Sequence, residues 1–147
     1  MDYYHIIRYA LKTRNIKVER WVEEDGGGWA YITDRKVIIP RPTSIVGFAR
    51  CWHEIGHFDL NHTNKKRRYI EEYEAETFAI DKLKHYGVDT KSYTRIAKRY
   101  VMHQLQNSFK RGHTIDKVPV EIIKWYGKNF NQYKKKVENL IFAYEKR

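Results

Sequence analysis

Apolar and polar positions divide the chain into a helix, a strand region and a longer helical region. Residues 2–14 carry apolar side chains every three or four positions, which predicts an amphipathic helix. The next apolar segments alternate or run without a break, as strands do, and they cover residues 16–24, 29–33 and 36–39. Glycines at 26–28 mark a turn, and Pro40 and Pro42 end the strand region. We expect a small three-stranded sheet that is antiparallel at least at its hairpins.

Helical spacing returns after the prolines, where Thr43 or Ser44 can cap a helix that runs to about His62. The apolar stripe of this helix consists of Ile45, Phe48, Trp52 and Ile55. Four further helices are expected over residues 69–86, between 90 and 112, between 119 and 127, and from 130 to 144. Three glycines stand at the expected helix ends, namely Gly87, Gly112 and Gly127. A strand region followed by helices predicts an α+β fold.

Composition excludes several classes of protein. Hydrophobic residues make up 41% of the 147 positions and aromatic residues 15%, which argues against disorder. A single cysteine, Cys51, excludes a disulfide framework and a cysteine-based zinc finger, and we expect it to be buried. No apolar run approaches the roughly 18 to 20 residues of a membrane span, and the first residues lack a signal-peptide pattern. We therefore expect a cytoplasmic protein without a membrane partner.

Positive charge is concentrated in the second half of the chain. Residues 1–80 contain 13 Lys and Arg against 12 Asp and Glu, whereas residues 81–147 contain 16 against 6. We expect residues 1–87 to form the core and residues 88–147 to form a basic, all-helical extension packed on it. A basic surface attracts polyanions over long range, so residues 81–147 are the candidate contact for nucleic acid or an acidic protein.

Residues 53–57 read HEIGH and match the motif H-E-x-x-H. His53 and His57 are one helical turn apart, so both imidazoles can reach a single cation. Glu54 lies beside that point, where it can accept a proton from a metal-bound water. Ligands of this type favour zinc (Zn²⁺), although such a site could also accept other divalent ions.

A third protein ligand is expected from another element, because catalytic zinc usually takes three. The longer pattern H-E-x-x-H-x-x-G-x-x-H needs Gly at position 60 and His at position 63. Leu60 and Thr63 stand there instead, so we expect His62 to be a polar residue near the helix end.

The following predicted helix begins with a cluster of acidic residues: Glu71, Glu72, Glu74 and Glu76. Glu72 and Glu76 share a face of that helix, and the small Ala75 permits close approach of another helix. The residues themselves leave Glu71, Glu72 and Glu74 open as candidates for the third ligand.

Two segments together resemble the ImmA/IrrE metallopeptidases. Residues 53–57 supply the HExxH motif, and residues 72–79, EYEAETFA, resemble the family pattern E-x-x-A-[D/N]-x-F-A on the next helix. The resemblance covers about residues 43–83. It implies a minimal zincin-like core, composed of an N-terminal helix, a small three-stranded sheet, the HExxH helix and a helix that carries the glutamate ligand.

The resemblance also implies roles for individual residues. Zinc would be held by His53, His57 and Glu72, in the manner of gluzincins, with Glu54 as the general base. Glu76 would hold a ligating histidine by its other ring nitrogen, at a position where the family usually has Asp or Asn.

The family resemblance implies an intracellular endopeptidase that cleaves a specific regulatory protein of the repressor type. Members are often carried by phages or mobile elements. The alternative hypothesis is a zincin fold that has lost catalysis and binds nucleic acid or an acidic protein through its basic helices. His103 is a candidate donor to a tetrahedral intermediate, and Trp29 or Tyr31 could border a substrate groove.

Overall fold

The computed structural model describes residues 1–24 and 27–135 of the chain. This part of the chain has an α+β fold with five α-helices and one three-stranded sheet. The elements in chain order are α1 (Tyr3–Thr13), β1 (Lys17–Val22), β2 (Trp29–Tyr31), β3 (Lys36–Pro40), α2 (Ile45–Asp59), α3 (Arg68–His85), α4 (Lys91–Lys110) and α5 (Val120–Tyr126). None of these helices combines the length and apolar character needed to cross a bilayer.

Two short 3₁₀ turns flank α5, at Ile115–Lys117 and Gly127–Asn129. Residues 130–135 are again helical, so the helix expected from 130 to 144 begins as predicted. Residues 136–144 of that expected helix lie outside the described residues.

The sheet is mixed, with the strand order β1-β3-β2. Strand β2 pairs antiparallel with β3, and Trp29 lies opposite Ile38, so the expected hairpin between these two strands is confirmed. Strand β1 instead pairs parallel with β3, with an irregularity between Val18 and Arg20. The expected antiparallel pairing therefore holds for β2 and β3, whereas β1 and β2 are not neighbours in the sheet. Parallel neighbours such as β1 and β3 cannot be joined by a tight hairpin.

Helix α2 lies at the centre of the molecule and contacts α1, α3, α4, β2 and β3. The side chain of Ser44 caps it by accepting a hydrogen bond of 3.0 Å from the Gly47 amide, as the sequence predicted. The helix ends at Asp59, earlier than expected, because Asn61 adopts a left-handed backbone with φ of 53°. Of the predicted apolar stripe, only Ile45 remains exposed.

Helices α2 and α3 pack closely because Gly56 has no side chain. A Cβ atom at this position would lie 2.9 Å from Cδ1 of Phe78 on α3. Glycines with positive φ follow α3 and α4 at positions 87 and 112, so both predicted helix ends are confirmed. The close approach brings the acidic residues of α3 against the histidines of α2.

Two apolar clusters hold these elements together. The first lies between α1, the sheet, α2 and α3, and it includes Tyr93 and Ala97 from α4. The second lies between α3, α4 and α5, around Tyr69, Met102 and Ile122. Helix α4 contributes to both clusters, so the helices after residue 87 pack directly on the elements before it.

Candidate metal centre

His53 and His57 lie one turn apart on α2 and direct their Nε2 atoms to the same point. The two Nε2 atoms are 3.2 Å apart and the ring planes are nearly perpendicular, at 86°. Both rings are largely shielded from solvent by the surrounding helices and sheet. At this distance the two nitrogens can share a proton in a hydrogen bond or bind the same cation.

Helix α3 places the Glu72 carboxylate against the same two nitrogens. Its Oε2 lies 2.9 Å from Nε2 of His53, and its Oε1 lies 3.5 Å from Nε2 of His57. One ligand atom from each of His53, His57 and Glu72 can be chosen so that all three lie within 4.8 Å of one another. Glu71 and Glu74, the competing candidates, do not approach these nitrogens: Glu74 binds Lys66 and His62, and Glu71 lines the wall of a neighbouring groove.

The distances between these ligand atoms fit a zinc ion. Zinc bonds of about 2.0–2.1 Å in a tetrahedron put neighbouring ligand atoms about 3.3 Å apart. Nε2 of His53 lies 3.2 Å from Nε2 of His57 and 2.9 Å from Oε2 of Glu72, and both separations are close to that value. Oε2 of Glu72 is also buried without a well-directed hydrogen bond among the described residues, as expected for an atom that points at a cation.

Glu54 lies next to this centre, with Oε1 4.0 Å from Nε2 of His53. Burial raises the pKa of Glu54, and the nearby Glu72 and Glu76 carboxylates add to the rise, although the two imidazoles oppose it. A carboxylate with a raised pKa is a stronger base, which suits proton transfer near neutral pH. Gly28 packs on this carboxylate so closely that a Cβ there would lie 2.9 Å from Oε1.

The pKa of Glu72 is shifted in the opposite direction to that of Glu54. Burial alone would raise its pKa, but the imidazoles of His53 and His57 lower it well below the usual range. For His53, burial acts to lower the pKa, yet the carboxylates of Glu76 and Glu72 outweigh it and raise the pKa well above the usual value. The site therefore attracts positive charge, either a proton or a cation.

The far ring nitrogens of both histidines are also held. Nδ1 of His53 contacts Oε1 of Glu76, which accepts a 2.8 Å hydrogen bond from the hydroxyl of Tyr93. Nδ1 of His57 is hydrogen-bonded to Nδ1 of His62 at 2.8 Å. Such contacts fix the tautomer and orientation of a ligating imidazole.

His62 extends this support outward. Its Nε2 is 3.1 Å from Oε1 of Glu74, and both oxygens of Glu74 accept hydrogen bonds of 2.9 Å from Lys66. Sequence reasoning treated His62 as a polar residue at the helix end and missed this contact. The left-handed turn at Asn61 folds His62 back onto His57, and no periodicity rule predicts that return.

Helix α4 reaches the centre through Tyr100, which sequence reasoning also missed. The Tyr100 ring lies 6.0 Å from the ring of His53. Burial and the Glu72 carboxylate raise the pKa of Tyr100, so its hydroxyl stays protonated. His103, the donor expected from sequence, is exposed and lines neither cavity at this centre. Tyr100, one turn before His103 on α4, is therefore the side chain of this helix that lies beside His53.

Two cavities meet at Glu54. A groove of about 130 Å³ lies on the side of β2 and His57. A second cavity, of about 460 Å³, lies on the side of α4 and His53. Gly28, Glu54 and Tyr100 line both and form the partition between them.

Cys51 is buried, as expected, and takes no part in the centre. Its Sγ donates a hydrogen bond of 3.2 Å to the carbonyl of Pro40, and burial raises the pKa of the thiol.

Comparison of the chain with protein-family models, curated proteins and solved structures finds no match.

Proposed function

We propose that this chain is a zinc-dependent endopeptidase of the kind that the ImmA/IrrE resemblance implies. One observation carries the proposal: His53, His57 and Glu72 converge on a single point with Glu54 beside it. The contacts of the far ring nitrogens support it, namely Nδ1 of His53 with Glu76 and Nδ1 of His57 with His62.

Zinc, when bound, supplies a Lewis acid that polarises a carbonyl oxygen and lowers the pKa of water. Glu54 accepts a proton from the attacking water and returns it to the leaving amine. Its raised pKa matches both halves of this role, since it must hold the proton between the two steps. The protonated hydroxyl of Tyr100 is the candidate donor to the developing oxyanion.

The substrate backbone is proposed to lie along β2. This strand pairs with β3 on one side only in the described sheet, and Trp29 and Ala30 of the strand line the groove beside His57. An extended peptide can add to such an edge by main-chain hydrogen bonds. The proposed substrate is one or a few regulatory proteins of the repressor type, which places the reaction inside the cell.

The test is a cleavage assay with wild type and Glu54→Gln. Both proteins are loaded with zinc, their metal content is measured by elemental analysis, and a proteome-derived peptide library is analysed for new termini by mass spectrometry. We expect one zinc per chain in both proteins and new termini only with wild type. Equal cleavage by Glu54→Gln would refute the role of Glu54, and zinc-loaded wild type without any products would refute the peptidase.

A second candidate is a binding module that retains the fold without catalysis. The basic side chains of α4 favour it, because Lys91, Arg95 and Arg99 are all exposed. Phosphate contacts release counterions, so the affinity of such a module for DNA or RNA should fall steeply with added salt. An affinity that stays flat between low and physiological salt would exclude it.

A further inference from the structure

The larger cavity contains two arginines that the proposed reaction does not use. It lies between α2, α4 and the loop before β2, and we call it the arginine cavity; it is lined by Gly28, Arg50, Glu54, Tyr93, Arg99 and Tyr100, among others. Arg50 comes from α2 and Arg99 from α4, so the two arginines line the cavity from different helices. A volume of about 460 Å³ is in the usual range for ligand pockets, roughly 300–1,000 Å³.

Neither guanidinium has a carboxylate within salt-bridge distance in residues 1–24 and 27–135. Arg50 is half-buried, and its Nη1 donates a hydrogen bond of 2.6 Å to the carbonyl of Glu24, which orients the group. The carboxylate of Glu76 in the same wall is already occupied by His53 and Tyr93. One oriented guanidinium and one exposed guanidinium, both without a counter-ion among these residues, favour an anion in the cavity.

The positive charge continues away from Glu54. Arg95 lies one turn before Arg99 on α4, and both line a smaller hollow of about 170 Å³ together with Gln132 and Tyr133. Arg99 thus belongs to both the arginine cavity and this hollow. The groove on the other side of Glu54 differs, because its one arginine, Arg68, stacks over the Trp29 ring at 5.3 Å.

We propose that the arginine cavity binds an acidic side chain of the peptide substrate, on one side of the bond that is cut. Arg50 and Arg99 hold this carboxylate, and Arg95 favours a second acidic residue further along. The proposal rests on the proposed peptidase function and adds the substrate class. A peptide fits better than nucleic acid, because Glu54 and Glu76 also line the cavity and would repel a continuous row of phosphates.

The first test measures binding without catalysis. The zinc-loaded full chain carrying Glu54→Gln is titrated with two pools of randomised ten-residue peptides, one rich in Glu and one with Gln in the same positions. We expect about tenfold tighter binding of the Glu pool, as charged hydrogen bonds provide. Arg99→Gln should remove most of this preference, whereas Arg111→Gln, with the same charge change at an exposed site outside the cavity, should retain it.

Three results would overturn the proposal: equal affinity for the two pools, equal loss in Arg99→Gln and Arg111→Gln, or displacement of the peptide by a ten-nucleotide oligo-dT whose binding also needs Arg99. The third result would assign the cavity to nucleic acid. Arg99 is exposed, so its replacement does not disturb the core.

The second test uses the cleavage products of wild type. Acidic residues should be enriched at one position on one side of the cut, and Arg99→Glu should replace this enrichment by one for Lys or Arg. Unchanged enrichment in Arg99→Glu would refute the cavity as its cause. A binding preference in the first test without any cleavage would support the anion site and count against the peptidase.

Discussion

The groove and the arginine cavity share a partition at Glu54 but differ in size and charge. The groove, about 130 Å³, is built by the edge strand β2 and by α3, and Glu71 and Glu72 make its wall acidic. The arginine cavity, about 460 Å³, is built by α2 and α4, and Arg50 and Arg99 make its wall basic. Glu54, the proposed general base, therefore faces two environments, so in the proposed reaction the two sides of a bound peptide would be recognised by different chemistry.

The two histidines divide in the same way. His57 lies on the groove side, where His62 and then Glu74 support it and Lys66 carries the chain of contacts into solvent. His53 lies on the side of the arginine cavity, where Glu76 and Tyr93 support it in full burial. The contacts that support His53 are therefore buried, whereas those that support His57 extend to the protein surface.

Glu72→Gln should have the largest effect, because this carboxylate contacts both His53 and His57. Loss of one of three ligands should lower zinc affinity by more than about 100-fold, since loss of an outer contact alone costs 10- to 100-fold. Zinc per chain after dialysis, measured by elemental analysis, checks this. Glu71→Gln is the matched control and should retain zinc; loss of zinc in Glu71→Gln alone would make Glu71 the ligand.

Gly28→Ala should break the partition itself. The new Cβ would lie 2.9 Å from Oε1 of Glu54 and 3.1 Å from the carbonyl of Ile38, so the base must move. A displacement near 1 Å costs about 100-fold in rate, and zinc content should not change. Turnover of a peptide identified in the cleavage assay is compared with Gly27→Ala, where a Cβ meets no atom within 4 Å. Equal rates for the two variants would contradict the tight contact at Gly28.

His62→Ala should weaken the support on the groove side. His57 loses the partner of its Nδ1, and we expect zinc affinity to fall about 10-fold or somewhat more. Competition with a zinc-binding dye measures the change. Lys66→Ala removes only the exposed end of the same chain of contacts and should alter affinity little. An effect of Lys66→Ala as large as that of His62→Ala would mean that charge, not orientation, supports His57.

Tyr93→Phe should have the smallest effect, and it acts on the support of His53 at the arginine cavity. It removes the hydroxyl that donates to Glu76 and leaves a buried carboxylate with one partner fewer. We expect the free energy of unfolding to fall by about 1–2 kcal/mol, measured by urea denaturation. Tyr9→Phe, at a position 67% exposed, is the control and should be neutral. No loss in Tyr93→Phe would show that Glu76 does not depend on this hydrogen bond.

Local patterns predicted most of the secondary structure. The helix ends at Gly87 and Gly112 and the cap at Ser44 depend on residues within one turn, and all three agree with the structure. The sheet was expected to be antiparallel at its hairpins, and this holds for β2 and β3. The parallel pairing of β1 with β3 depends on contacts between distant segments and not on the turn residues alone.

The residues of the candidate site also divide into those that local spacing predicts and those that only tertiary packing brings together. Spacing on one helix placed His53 and His57 together, since a helical turn fixes which side chains are neighbours. The family resemblance implied Glu72, and the packing of α3 on α2, where Gly56 lets Phe78 approach, brings this carboxylate against the two histidines. Tyr100, from α4, lies beside His53 only through contacts between elements distant in sequence.

The sequence by itself determined the α+β class, most of the helix ends and the pair of histidines with their glutamate, because each depends on a local period or a residue's own chemistry. Only the tertiary structure decided the strand order, the return of His62 to His57, and the pairing of Arg50 with Arg99 across one cavity. These features join segments that are far apart along the chain or reverse its direction. Their energies come from burial and side-chain contacts that no sequence period encodes.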